Sequence, residues 1–221
     1  MDLRGHGDSE WATNGDYSID AFVGDVLAVC RALPQLPILV GASIGGIAAA
    51  IAVGESTTAI ARALVLVDVV PHMASAGLDR IRGFMSSGSA GFTSVAEASA
   101  AVARYLPHRR PGNSLNSLKK NLRTRGDGRL YWHWDPAFHA GSGQRSEQGM
   151  FTRMAAAAGR IRIPVLLVSG ARSEAVDHAA GSQLMQLIPQ ARWVQVPDAA
   201  HMVAGDSNDA FSTALSEFVS R

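Results

Sequence analysis

The sequence predicts an α/β fold, a mostly parallel sheet flanked by helices and interrupted by an inserted helical cap. Three observations predict it. Four short apolar runs alternate with segments of helical period, the order that builds a parallel sheet through crossover helices. Two of the runs, Ala63–Val70 and Pro164–Gly170, are near-continuous in Val and Leu, as strands buried on both faces require. The first run, Pro37–Gly41, passes directly into Gly41-Ala42-Ser43-Ile44-Gly45 and then into an alanine-rich segment.

Taken in order, Ser18–Leu33 reads as a helix capped by Ser18, with Phe22, Val26, Val29/Cys30 and Leu33 on its apolar face. Strand Pro37–Gly41 is followed by helix Gly45–Val53 and strand Ala63–Val70. The stretch from His72 to Arg160 then breaks the alternation, with Ser/Gly clusters at 86–89 and 141–143. Helical patterns recur inside it, at Ser94–Tyr105 and Leu115–Leu122. A structureless loop of that length is improbable in a compact domain, so we expect a helical cap over 72–161. The core is then 1–71 and 162–221. It resumes with strand Pro164–Gly170, helix Ala179–Leu187 ahead of Pro189, and strand Ala191–Pro197. A last helix covers Asn208–Val219, with Phe211, Leu215 and Phe218/Val219 on one face.

The 221 residues are 47% hydrophobic and 18% charged, which excludes disorder, and a net charge of +1 gives no general pull toward nucleic acid or membrane. Cys30 is the only cysteine, so an internal disulfide is excluded, and its place on an apolar stripe reads as core. Two basic segments, His108-Arg109-Arg110 and Lys119–Arg129, read first as solvated cap surface, with attraction of an anionic substrate as the alternative.

A strand that ends in Gly-x-Ser-x-Gly and turns at once into a helix is the layout of a nucleophile elbow, which presents Ser43 on a strained turn. Such a serine needs a base, and the base needs an orienting acid. His201 is the candidate base, on the loop that follows strand Ala191–Pro197. Glu174 is the preferred acid, since it follows strand Pro164–Gly170 in the order Ser, acid, His; Asp68 and Asp177 are the alternatives. The backbone N–H of Ile44 is the expected oxyanion donor. Trp132 and Trp134, in the aromatic run 131–136, either dock the cap or line a substrate pocket. His133, Asp135 and His139 follow no zinc spacing, so no metal is expected.

The segments Asp2-Leu3-Arg4-Gly5-His6-Gly7-Asp8-Ser9, Gly41–Gly46, Leu66-Val67-Asp68 and His201-Met202 together resemble the α/β-hydrolase superfamily. Within it they look most like the small bacterial hydrolases often named non-haem peroxidases or haloperoxidases. The resemblance implies a serine hydrolase acting on an ester or related carbonyl compound through an acyl-enzyme, or a cofactor-free perhydrolase using the same triad. It implies no cofactor, a small-molecule substrate, no nucleic-acid or membrane partner and a cytoplasmic setting, with a homo-oligomer left open. His6 reads as structural or pocket-lining. The family's usual acid position falls on Ser173, one residue before Glu174. The chain also begins at what resembles the end of the family's fourth strand. We therefore expect an N-terminally incomplete fold, either a fragment or a gene model begun at an internal Met, with a catalytically impaired remnant as a further alternative. Strand Pro37–Gly41 would then present an unpaired edge.

Overall fold

A computed structural model of the chain describes residues 1–107, 118–138 and 147–220. Its main sheet has four parallel strands in the order β1-β2-β5-β6: β1 Ile38–Ala42, β2 Ala63–Val67, β5 Val165–Gly170 and β6 Arg192–Val196. The helices of this part are α1 Ile19–Ala32, α2 Ile44–Glu55, α5 Glu147–Ala158, α6 His178–Leu187, α7 Val203–Asp206 and α8 Asn208–Val219, and α3 Ser75–Ser86 starts in it and runs on past Leu78 into the rest of the chain. Helix α4 Val95–Tyr105 and an antiparallel pair, β3 Leu122–Thr124 with β4 Leu130–Trp132, lie between α3 and α5.

Strands β2 and β5 are buried at every residue, which is why their sequences do not alternate. Register pairs Val65 with Leu166 and Val67 with Val168 on one face of the sheet. That face packs with Val196, Ala199 and Val203 and is covered by Ala210, Phe211, Leu215 and Phe218 of α8. Leu64, Leu66 and Leu167, all fully buried, alternate to the opposite face. Burial of each such leucine stabilises the fold by about 1.5–3 kcal/mol. Helix α2 packs on β1, β2, α1 and α5, and at Gly54 the approach of α5 is so close that a Cβ would lie 2.2 Å from the Ala157 carbonyl oxygen.

Ser18 caps α1 as expected, its Oγ accepting from the Ala21 N–H at 3.3 Å. The buried stripe of α1 is Phe22, Val23, Val26 and Cys30, while Val29 and Leu33 are exposed. Burial pushes the Cys30 thiol above its ordinary pKa, consistent with a packing role. Strand β1 stands at the sheet edge, with Val40 half exposed. Among the described residues no helix is long and apolar enough to cross a membrane.

The chain forms two compact units. One holds Ser18–Leu78 and the residues from 147 on; the other holds Met1–Tyr17 and the described residues of 79–143. Helix α5 belongs with the sheet because its small residues pack against α2. Residues 1–17 belong with the second unit because their polar groups pair there. Tyr17 Oη donates to Asp135 Oδ2 at 2.5 Å, and the Asp135 N–H donates to the Gly5 carbonyl at 2.8 Å. Met1–Arg4 is not a strand but the start of a turn closed by Gly5 N–H to the Glu10 carbonyl. The second unit's core is Phe92, Ala98, Ala101 and Trp132, with Phe84 and Leu130 packed against it.

The same unit contains a pH-sensitive contact. Gly7 donates its N–H to His133 Nδ1 at 2.6 Å, which requires a neutral imidazole. Desolvation by burial, and secondarily the nearby His6, hold the His133 pKa below its ordinary value. The unfolded chain therefore binds more protons below about pH 6.5, and this contribution to stability is present above that pH and lost below it. Thermal stability is expected to fall between about pH 7.5 and about pH 5.5, and to fall less in His133→Gln. Equal losses in the two proteins would exclude His133 as a source.

Candidate active site

The carboxyl ends of the four parallel strands bring the candidate residues to one edge of one unit, the location where open α/β sheets place their sites. Ser43 follows β1, Asp68 follows β2, Gly170 ends β5 and His201 stands beyond β6.

Ser43 is held at φ 49° and ψ −123°, a left-handed conformation unusual for any residue but glycine. It is the N-cap of α2, yet its side chain caps nothing. A serine in that place ordinarily gives its oxygen to the helix N–H groups. Here the backbone twist leaves Oγ out of that role. The turn is fixed by the Ser43 N–H donating to the Val67 carbonyl at 3.3 Å, and by its own carbonyl accepting from Gly46 and Ile47. Gly41 and Gly46 permit the turn. A Cβ on Gly41 would lie 2.6 Å from the Gly45 carbonyl oxygen, and one on Gly46 would lie 2.6 Å from Val69 Cγ1. Ile44, the first residue of α2, has an N–H with no intrahelical acceptor.

Asp68 is completely buried and also left-handed, at φ 49°. Its Oδ1 accepts the Gly170 N–H at 3.1 Å; its Oδ2 accepts from Ser173 Oγ at 2.6 Å and from His201 Nδ1 at 2.8 Å. An ionised carboxylate only accepts, so a neutral imidazole in this place carries its proton on Nδ1 and presents a lone pair on Nε2. The His201 loop can close on β5 because Gly170 lacks a side chain; a Cβ there would lie 2.3 Å from the Ala199 and Ala200 carbonyl oxygens. Arg172 N–H to the Ala199 carbonyl and an Arg172–Asp198 ion pair hold that loop in place.

Glu174 is exposed and follows a turn whose Ser173 points inward, and the carboxylate set on His201 Nδ1 is that of Asp68. Asp177 is the N-cap of α6, accepting the Ala180 N–H at 2.8 Å. The Asp68 alternative is the one that meets the imidazole.

The remaining candidates lie in the other unit. Trp132 is buried in its core, stacked on Trp134 at 5.4 Å, with its indole N–H donating to the Ser87 carbonyl at 2.7 Å. Its rings therefore pack its own unit, as the docking alternative for this aromatic run expects. His133 and Asp135 have the partners described above, His6 Nδ1 bonds the Arg4 carbonyl, and His139 lies outside the described residues. Within the basic segments, Arg129 donates to the Gly91 carbonyl and Arg125 stacks 4.0 Å from the Tyr131 ring, so both fasten their unit; 108–110 lies outside the described residues. The sequence marked Ser173 only as the family's usual acid position, and it gave Gly170 and Gly46 no role of their own at this site.

A parallel sheet with a serine on a strand-to-helix elbow and a buried Asp–His pair at the same edge defines an α/β-hydrolase, and the chain belongs to that family, whose model, described as alpha/beta hydrolase fold, matches residues 1–207. It is an enzyme of the hydrolase class. The chain is 26% identical over 220 residues to 2-(acetamidomethylene)succinate hydrolase of Mesorhizobium japonicum, covering 99% of this chain and 77% of that protein. The crystal structure of an E-2-(acetamidomethylene)succinate hydrolase superposes with a TM-score of 0.81 at 24% identity, covering 100% of this chain and 80% of the other. An esterase of Mycobacterium tuberculosis gives 0.76 at 26% identity, covering 100% and 75%.

Proposed function

We propose that this protein hydrolyses an ester or amide bond of a small carboxylic-acid derivative through an acyl-enzyme on Ser43, with His201 as base and Asp68 as the orienting acid. The observation that carries the reading is the buried Asp68 carboxylate accepting the His201 Nδ1–H at 2.8 Å. That bond fixes the tautomer in which Nε2 can take a proton from Ser43. Ser43 Oγ then attacks the substrate carbonyl, and the Ile44 N–H stabilises the oxyanion at the positive end of α2. The imidazolium returns its proton to the leaving alcohol or amine, and water, deprotonated by His201, releases the acid. Similarity to one protein named for an acetamido compound and to another named an esterase supports a C–N or C–O acyl bond. The same similarity favours water over peroxide as the resolving nucleophile.

Incubation with a fluorophosphonate followed by intact-mass analysis tests this. The expected result is one adduct, mapped to Ser43, absent in Ser43→Ala and slowed in His201→Ala. Unlabelled wild-type protein, or a label at another residue, would overturn the reading and favour a binding-only remnant.

A further inference from the structure

Asp68 Oδ2 serves two donors, and the shorter bond is not the one to the base. Ser173 Oγ is 2.6 Å from it, against 2.8 Å for His201 Nδ1. We propose that Ser173 is a positioning residue: its hydroxyl competes with His201 for the charge on Oδ2 and thereby sets the basicity of the imidazole. The inference rests on the assignment of Ser43, His201 and Asp68 given above.

The direction of the Ser173 bond is fixed by its other contacts. A hydroxyl has one hydrogen and two lone pairs. Ser173 Oγ accepts from the Ala175 N–H and the Val176 N–H, each at 3.2 Å, in a side-chain turn that uses both lone pairs. Its hydrogen is left for Asp68. The carboxylate cannot swing away, because Oδ1 is held by the Gly170 N–H and the whole side chain is buried. At the fully buried Asp68 carboxylate, a hydrogen bond to a charged oxygen withdraws charge that solvent does not restore. With the Ser173 donor present, Asp68 orients His201 without binding its proton too tightly. With it absent, more of the charge on Oδ2 falls on the Nδ1–H, the imidazolium is stabilised, and the free base is reached only at higher pH.

A purely structural serine, one that only ties the 173–176 turn, predicts a loss of stability and no change in the imidazole. Threonine and valine at 173 separate the two, since they share a shape and differ in the hydroxyl. NMR titration of the His201 ring should place its pKa in Ser173→Val about half a unit or more above wild type. Ser173→Thr should titrate with wild type, and the acidic limb of kcat/KM for a p-nitrophenyl ester should move in parallel. Ser173→Ala gives the same readout if the valine variant does not fold. An unshifted or lowered His201 pKa in the hydroxyl-free variants would overturn the proposal. Asp68→Asn in the same series keeps the two claims apart. An unchanged His201 titration in that variant would take down the Asp68–His201 assignment itself.

Discussion

Replacing Asp68 with asparagine is expected to lower kcat toward a p-nitrophenyl ester by on the order of 10⁴, while Glu174→Gln stays within about twofold of wild type. The size of the first effect follows from the donors around the site. Gly170 N–H and Ser173 O–H both need an acceptor, and the carboxylate supplies one oxygen to each. Asparagine has one accepting oxygen and one NH₂. If its oxygen faces Gly170, the NH₂ faces His201 and forces Nδ1 to accept, so the imidazole proton moves to Nε2 and the base is lost. If the amide flips, the NH₂ opposes the Gly170 N–H in a buried site, an unsatisfied pair that costs about 1–3 kcal/mol. Asp177→Ala supplies the contrast. It removes the α6 cap and about 1 kcal/mol of stability without touching kcat. A Glu174→Gln enzyme slowed as much as Asp68→Asn would reverse the assignment of the acid.

The order of strands and helices was legible because the sheet is buried on both faces and each helix is bounded by its own signals. Ser18 caps α1, Ser94 caps α4, and the elbow opens α2. The places of Ser43 and His201 in the fold were legible for the same reason, since each is pinned to the end of a recognisable strand. The acid was ambiguous because Asp68 and Glu174 both follow strands that end at the same sheet edge, and both satisfy the order Ser, acid, His. What separates them is orientation. Asp68 turns left-handed at φ 49° and points into the site, whereas one residue of offset leaves Glu174 outside and Ser173 inside. A residue-by-residue period does not encode that choice when the turn is irregular. The unit boundaries were hidden differently. Tyr17 and Asp135 are far apart in sequence, and no local pattern announces their bond. The β3–β4 pair had a visible signal in Gly126-Asp127-Gly128, with Gly128 at φ 76°, but its strands are too short for alternation to show.

Alanine at Gly41 is expected to reduce unfolding free energy by about 3 kcal/mol or more and to remove Ser43 labelling with it. The added Cβ would meet the Gly45 carbonyl oxygen, Gly46 Cα and Gly46 N, each at 2.6 Å. All three are backbone atoms of the turn that carries Ser43, so no side chain can swing aside to relieve the contact. Relief has to come from moving the start of α2 away from β1. That motion breaks the bonds from Gly46 and Ile47 to the Ser43 carbonyl and releases the φ of 49° that exposes Oγ. A domain of this size has a net stability of about 5–15 kcal/mol, so the loss is a large fraction of the whole. Gly24 is the internal control. It lies in the middle of α1, and a Cβ there meets nothing within 4 Å. Gly24→Ala should therefore stabilise the protein by about 0.5–1 kcal/mol through helix propensity and reduced freedom of the unfolded chain. Urea denaturation of the two variants should shift the midpoint in opposite directions. A Gly41→Ala protein as stable and as readily labelled as wild type would show that the elbow does not depend on this close approach.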